Sequence, residues 1–126
     1  MHTVLDTNIV ISALLFRGSI SAIHREIVLG VISAFVSPPM VREYARVLAY
    51  PKFGLSEEEL IYLLEEEIGR YFKPVEAPSD DCFINTALAC PGSVLVSGDR
   101  HILEARERLP VPVISAAELI ERVRRK

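Results

Sequence analysis

The sequence predicts an α/β fold in which a mostly parallel sheet is covered by helices on both faces. Three observations predict it. Short apolar runs suited to buried strands alternate with stretches whose apolar residues recur at helical spacing. The strand-like run SVLVSGD (93–99) is nearly continuous in apolar residues up to its polar end, as a strand buried on two faces is. No repeat, low-complexity tract or Gly/Ser-rich linker divides the 126 residues, of which 50% are apolar, so a single domain over residues 1–126 is expected.

The elements follow in order. TVL (3–5) is a short strand, and NIVISALLF (8–16) a largely buried helix closed near Gly18. Ile20, Ile23, Ile27 and Val28 share a helix face that stops at Gly30. SAFVS (33–37) is a second strand. Pro38 and Pro39 then open a helix, as prolines can in a first turn, with Met40, Val41, Tyr44, Val47 and Leu48 as its apolar stripe and Pro51 as its end. Ser56 and Glu59 form a capping-box pattern ahead of Leu60, Leu63, Leu64 and Ile68. YFKPV (71–75) is extended. DDCFINTALAC (80–90) is a helix stopped by Pro91 and Gly92. VPVI (111–114) is a last strand and SAAELIERVRRK (115–126) a closing helix.

The net charge of −3 argues weakly against a polyanionic partner, but it is unevenly spread. Six glutamates lie within residues 57–67; setting them aside leaves 11 acidic residues against 14 basic ones. That helix is read as a solvated acidic face. Cys82 and Cys90 fall in one predicted helix, form no CxxC and read as small buried hydrophobes in a reducing compartment. With no membrane-length apolar stretch and no signal-peptide pattern, a cytoplasmic location is expected.

Ligands of such sheets bind beyond the carboxyl ends of the strands, where strand order reverses. Asp6 follows TVL directly, and Asp99 follows VLVSG. Glu43 lies on the boundary of the Met40–Tyr44–Val47 stripe, and Asp80 and Asp81 occupy the first turn of the next helix. Each has an ordinary reading. Asp6 and Asp80 fit helix caps, Asp99 a turn, and Glu43 a side chain reaching solvent. Together they read differently: like charges ~4 Å apart repel by about 4 kcal/mol at an effective dielectric of 20, so four acids on one rim call for a cation. Hard oxygen donors without a His or Cys cluster select Mg²⁺ or Mn²⁺ over zinc. His2 and His24 are scattered, His24 on a helix surface. His101 is a surface residue or a phosphate contact.

VLDTNIVISALLF near the start, SPPMVREYARVLAYPKF in the middle, and DDCFINTALA followed by VLVSGDRHIL resemble the PIN-domain ribonucleases, in the same order over nearly the whole chain. The nearest branch is the VapC-like toxin components of toxin–antitoxin systems. The resemblance implies a three-layer α/β/α fold and metal-dependent hydrolysis of RNA phosphodiesters. It assigns the acids to Asp6, Glu43, Asp81 and Asp99, with Asp80 accessory and Thr7, Asn8 and Ser97 supporting them through hydrogen bonds. A metal held by Asp6, Asp81 and Asp99 would polarise the phosphate and acidify a water, and a second near Glu43 and Asp6 would stabilise the leaving oxygen. Further implied partners are an antitoxin protein and a second copy of the chain, for which the 56–70 helix offers a face.

Arg17, Lys52, Arg100 and Arg106 are candidates for phosphate contact, while the basic tail equally complements its own helix dipole. Phe16, Tyr50 and Phe53 are candidates for base stacking or for the core. A haloacid-dehalogenase-type phosphatase would need an Asp where Asn8 stands, and a receiver domain an acid pair after the first strand. The competing reading is a non-catalytic PIN-like module that binds RNA or protein.

Overall fold

The computed structural model describes residues 1–16, 18 and 20–125. Strand β1 (His2–Leu5) leads into helix α1 (Thr7–Leu15) and then α2 (Ser21–Val28). Strand β2 (Ser33–Val36) follows, then α3 (Pro38–Leu48), whose first turn carries both expected prolines. Helix α4 (Glu57–Tyr62) starts at the Ser56–Glu59 capping box, runs through a π-helical turn (Leu63–Ile68) and ends as α5 (Gly69–Tyr71). Strand β3 (Lys73–Pro74), α6 (Cys82–Ala89) and β4 (Val94–Val96) come next. The chain closes with α7 (Arg100–Glu104), β5 (Val113–Ile114) and α8 (Ala116–Arg124).

All strand pairs are parallel, in the order β3-β2-β1-β4-β5. Successive strand side chains point to opposite faces, and Val94, Leu95 and Val96 are all buried. Helices therefore cover the sheet on both sides, which is the expected α/β sandwich. β3, which carries Pro74, is an edge strand, where a missing N–H is tolerated.

Strand order decides where a site can form. The chain winds outward from β1 through β2 to β3, then crosses back to β4 on the other side of β1. The reversal lies between β1 and β4. Leu5 is in register with Val96, so Asp6 and Ser97 emerge level with each other, and the Asp6 amide donates to the Val96 carbonyl at 3.0 Å.

Some local structure departs from the sequence reading. α7 was not expected; it is five residues long, too short for periodicity to reveal. The acidic helix is not uniformly solvated, and His24 is not a free surface residue. His24 Nε2 and Glu67 Oε2 lie 2.5 Å apart, half-buried, with Glu67 in the π-helical turn. Gly69 closes that turn, where a Cβ would stand 3.1 Å from the Leu64 carbonyl oxygen.

Candidate active site at the carboxyl edge of the sheet

Asp6 is the buried member of the site. Only 8% of its surface is exposed. One carboxylate oxygen caps α1 by accepting from the Ile9 amide at 3.2 Å, and the other accepts from the Ser97 hydroxyl. Capping and site membership are thus both true of one side chain. Burial pushes the Asp6 carboxyl above its ordinary range; the Ser97 hydroxyl and the Ile9 and Gly98 amides pull it down, and the charge on Asp99 adds to the rise.

Ser97 ties two acids together. While it donates to Asp6, its oxygen accepts from the Asp99 amide at 3.0 Å. Asp99 in turn caps α7, with one oxygen accepting from the amides of His101 at 2.8 Å and Ile102 at 3.4 Å. Its other oxygen takes no hydrogen bond among the described residues. The SGD segment thus supplies one hydroxyl and one exposed carboxylate directly at the topological switch point.

Glu43 and Asp81 line a separate open depression, together with Arg42 and Cys82. Glu43 is half-exposed on α3 and engaged by Arg46 through two bonds, of 3.2 and 2.5 Å. Arg46 also donates to the Tyr50 hydroxyl at 2.5 Å. The guanidinium holds the Glu43 carboxyl below its usual range. Burial raises the Cys82 thiol, and the charges of Glu43 and Asp81 raise it further. Its side chain packs against the core.

Asp81 stands in the left-handed region at φ 41°, immediately before α6. Neither Asp81 nor Asp80 caps the helix through its side chain. This corrects the reading of Asp80 as a helix cap; its carbonyl, not its carboxylate, accepts from the Asn85 side-chain amide.

Two buried bonds bind the depression to the strand ends. Tyr44, next to Glu43, donates its hydroxyl to the Leu5 carbonyl at 2.5 Å, one residue before Asp6. Burial raises the Tyr44 phenol well above its ordinary value, and the Asp6 charge contributes. The Thr86 hydroxyl on α6 lies 2.7 Å from that of Ser37, which follows β2.

Of the four expected acids, Asp6 and Asp99 thus stand at the carboxyl ends of β1 and β4, while Glu43 and Asp81 line a separate depression. Among the described residues no three of the Asp, Glu, His and Cys side chains form a ready-made metal cage. Carboxylates alone repel, and Arg46 draws Glu43 aside. The donor chemistry still fits a hard divalent ion. It consists of carboxylate oxygens, one pair of them on a buried group whose charge is costly to leave uncompensated.

Of the supporting residues, only Ser97 bonds an acid. Thr7 is half-buried and Asn8 exposed, and neither side chain reaches a carboxylate. Arg100 pairs with Glu104 at 3.1 Å and Arg106 with Glu118 at 2.8 Å. Exposed pairs of this kind are worth only about 0–1 kcal/mol, so Arg100 is readily released to an anion. Lys52 lies over the Phe53 ring, 5.2 Å from its centroid. Arg17 lies outside the described residues. Arg46, Tyr44 and the Ser37–Thr86 pair were missed. Only Arg46 left a signal, the i,i+3 spacing to Glu43 in EYAR.

Among the described residues no helix is long and apolar enough to cross a membrane. No curated protein matches the chain. The family model of the PIN domain matches residues 2–101, a span holding all four acids, β1 to β4 and the switch point between β1 and β4. PIN domains are in general nucleases that use divalent metal ions. On that match and this fold, the chain belongs to the PIN-domain family.

Proposed function

We propose that this protein is an Mg²⁺- or Mn²⁺-dependent endoribonuclease, and that it acts as the toxin of a toxin–antitoxin pair. The observation that carries the enzymatic reading is the pairing of buried Asp6 with Asp99 through Ser97 at the switch point. Asp6 and Asp99 would hold the cation first, and Asp81, with Asp80 next to it, and Glu43 would complete its shell from the neighbouring depression once Arg46 releases Glu43. Held by these carboxylates, a divalent ion would supply positive charge against the phosphate and lower the pKa of a water. Ser97, bonded to the Asp6 carboxylate and to the Asp99 backbone amide, holds the two strand ends in fixed relation, and Arg100, next to Asp99, offers a cation to the RNA backbone.

The toxin role, an antitoxin partner, a homodimer and a cytoplasmic setting belong to the same proposal and rest on the resemblance. The competing reading is a non-catalytic module that binds RNA or protein. One observation favours it: Glu43 is satisfied by Arg46 rather than turned toward Asp6. Cleavage decides between them. Labelled single-stranded RNA incubated with Mg²⁺ or Mn²⁺ should be cut internally and left intact in EDTA. RNA that is bound but uncut across both metals would favour the module.

Asp81 allows function and stability to be separated. A non-glycine residue in the left-handed region costs roughly 1 kcal/mol relative to glycine. Asp81→Gly should therefore leave Tm unchanged or raise it slightly, while RNA cleavage falls at least about tenfold. A lower Tm with retained cleavage would assign Asp81 to the scaffold alone.

A further inference from the structure

One face of α1 carries features that the acid site does not use. Asn8 and Ser12 share a face of α1 at four-residue spacing, and Phe16, the extended C-cap residue, follows four positions later. These positions start two residues after Asp6 and cover about 12 Å at 1.5 Å per residue. Together with Ile11, Lys52 and Phe53 they line an open depression. Phe16 is 54% exposed, a costly state for a large apolar ring. It leans on Phe53 with ring centroids 6.3 Å apart and planes at 57°. Lys52 and Phe53 sit on the 3₁₀ turn Pro51–Phe53, whose proline fixes the backbone. The depression thus offers an aromatic face, a cation and hydrogen-bonding amide and hydroxyl groups.

We propose that this depression is a nucleobase-stacking subsite for single-stranded RNA, displaced along the strand from the cleaved phosphate. The proposal rests on the nuclease reading for its substrate. The chemistry of the lining selects the occupant. A base supplies a π-face for Phe16, its phosphate supplies a negative charge for Lys52, and its polar edge meets Asn8 or Ser12. A stacked strand advances ~3.4 Å per nucleotide, so the ~12 Å from Asn8 to Phe16 corresponds to on the order of three nucleotides. Duplex RNA keeps its bases stacked on each other and offers none to Phe16.

The chain contains no tryptophan, so Phe16→Trp introduces a single fluorescent reporter at the subsite. Binding of a fluorescein-labelled oligoadenylate RNA is measured by anisotropy in EDTA, in an Asp6→Asn background that prevents cleavage. Phe16→Ala should weaken binding about tenfold or more, and Phe16→Trp should preserve binding and show indole quenching on RNA addition. Lys52→Ala should weaken binding and lower the salt dependence of log K by about one phosphate contact. Unchanged affinity in Phe16→Ala, indole emission insensitive to RNA, or equally tight binding of a duplex would each overturn the subsite. The two readings fail separately. RNA bound through Phe16 but uncut by the parent chain in either metal sinks the nuclease reading and leaves the subsite. Cleavage and binding indifferent to Phe16 and Lys52 do the reverse.

Discussion

Asp6→Asn should lower RNA cleavage by about 10³-fold or more, yet leave the metal-free protein at least as stable as the parent at neutral pH. The two halves have one cause. Asp6 is held in a buried site where ionisation is opposed mainly by desolvation, and its carboxyl is raised from the ordinary value of 3.8. For an acid shifted upward, the folded state favours the protonated form. Its stabilising contribution is complete below the unfolded value and is lost as pH rises through the folded one. Asparagine is isosteric and cannot ionise, so it escapes that loss while its amide can still pair with Ser97 and cap Ile9. The stability advantage of the variant should accordingly be absent near pH 4 and open as pH rises. Thermal melts in EDTA at both ends of that range, beside a cleavage assay with Mn²⁺, read the two effects. A variant that melts below the parent at neutral pH would show that the hydrogen bonds from Ser97 and Ile9 outweigh the burial penalty. Undiminished cleavage would remove Asp6 from the reaction.

The contrast between Asp6 and Glu43 shows what a sequence can and cannot disclose about such a site. Asp6 was legible because its position is set by the backbone: a buried strand ends, a helix begins, and the side chain has one place to go. The same holds for the start of α3 at Pro38 and Pro39 and for the Ser56–Glu59 box, both signalled by local chemistry. Glu43 was legible as to its helix and face but not as to its partner, because Arg46 competes for it and only the folded side chains decide. Contacts across long separations were equally silent. Nothing in residues 37 and 86 announces that their hydroxyls meet, nor that His24 finds Glu67. Asp99 read as a turn residue because α7 is too short to show a period, although its capping of that helix is what fixes its orientation.

Tyr44 should be the most stability-sensitive position beside the site. It is fully buried, and its ring packs edge-on to Phe72 at 6.5 Å and against Phe83 at 6.2 Å. Its hydroxyl serves the Leu5 carbonyl at the end of β1. Tyr44→Ala removes a large core side chain at a cost of about 3–5 kcal/mol, a large share of the 5–15 kcal/mol that holds a typical domain. Tyr44→Phe keeps the ring and removes only the hydroxyl, leaving a buried carbonyl short of a donor for about 1–3 kcal/mol. At roughly 3–5 °C per kcal/mol for a chain of this size, the conservative change should lower Tm by about 3–15 °C. It should also weaken the site while the fold persists. Tyr44 joins the helix carrying Glu43 to the residue before Asp6, so losing the bond frees the two acid pairs to move independently. Mn²⁺ binding by calorimetry, at a temperature where both proteins are fully folded, should therefore weaken in Tyr44→Phe. A variant with an unchanged melting point would mean that water replaces the hydroxyl. One with lowered Tm but unaltered Mn²⁺ affinity would confine Tyr44 to the core.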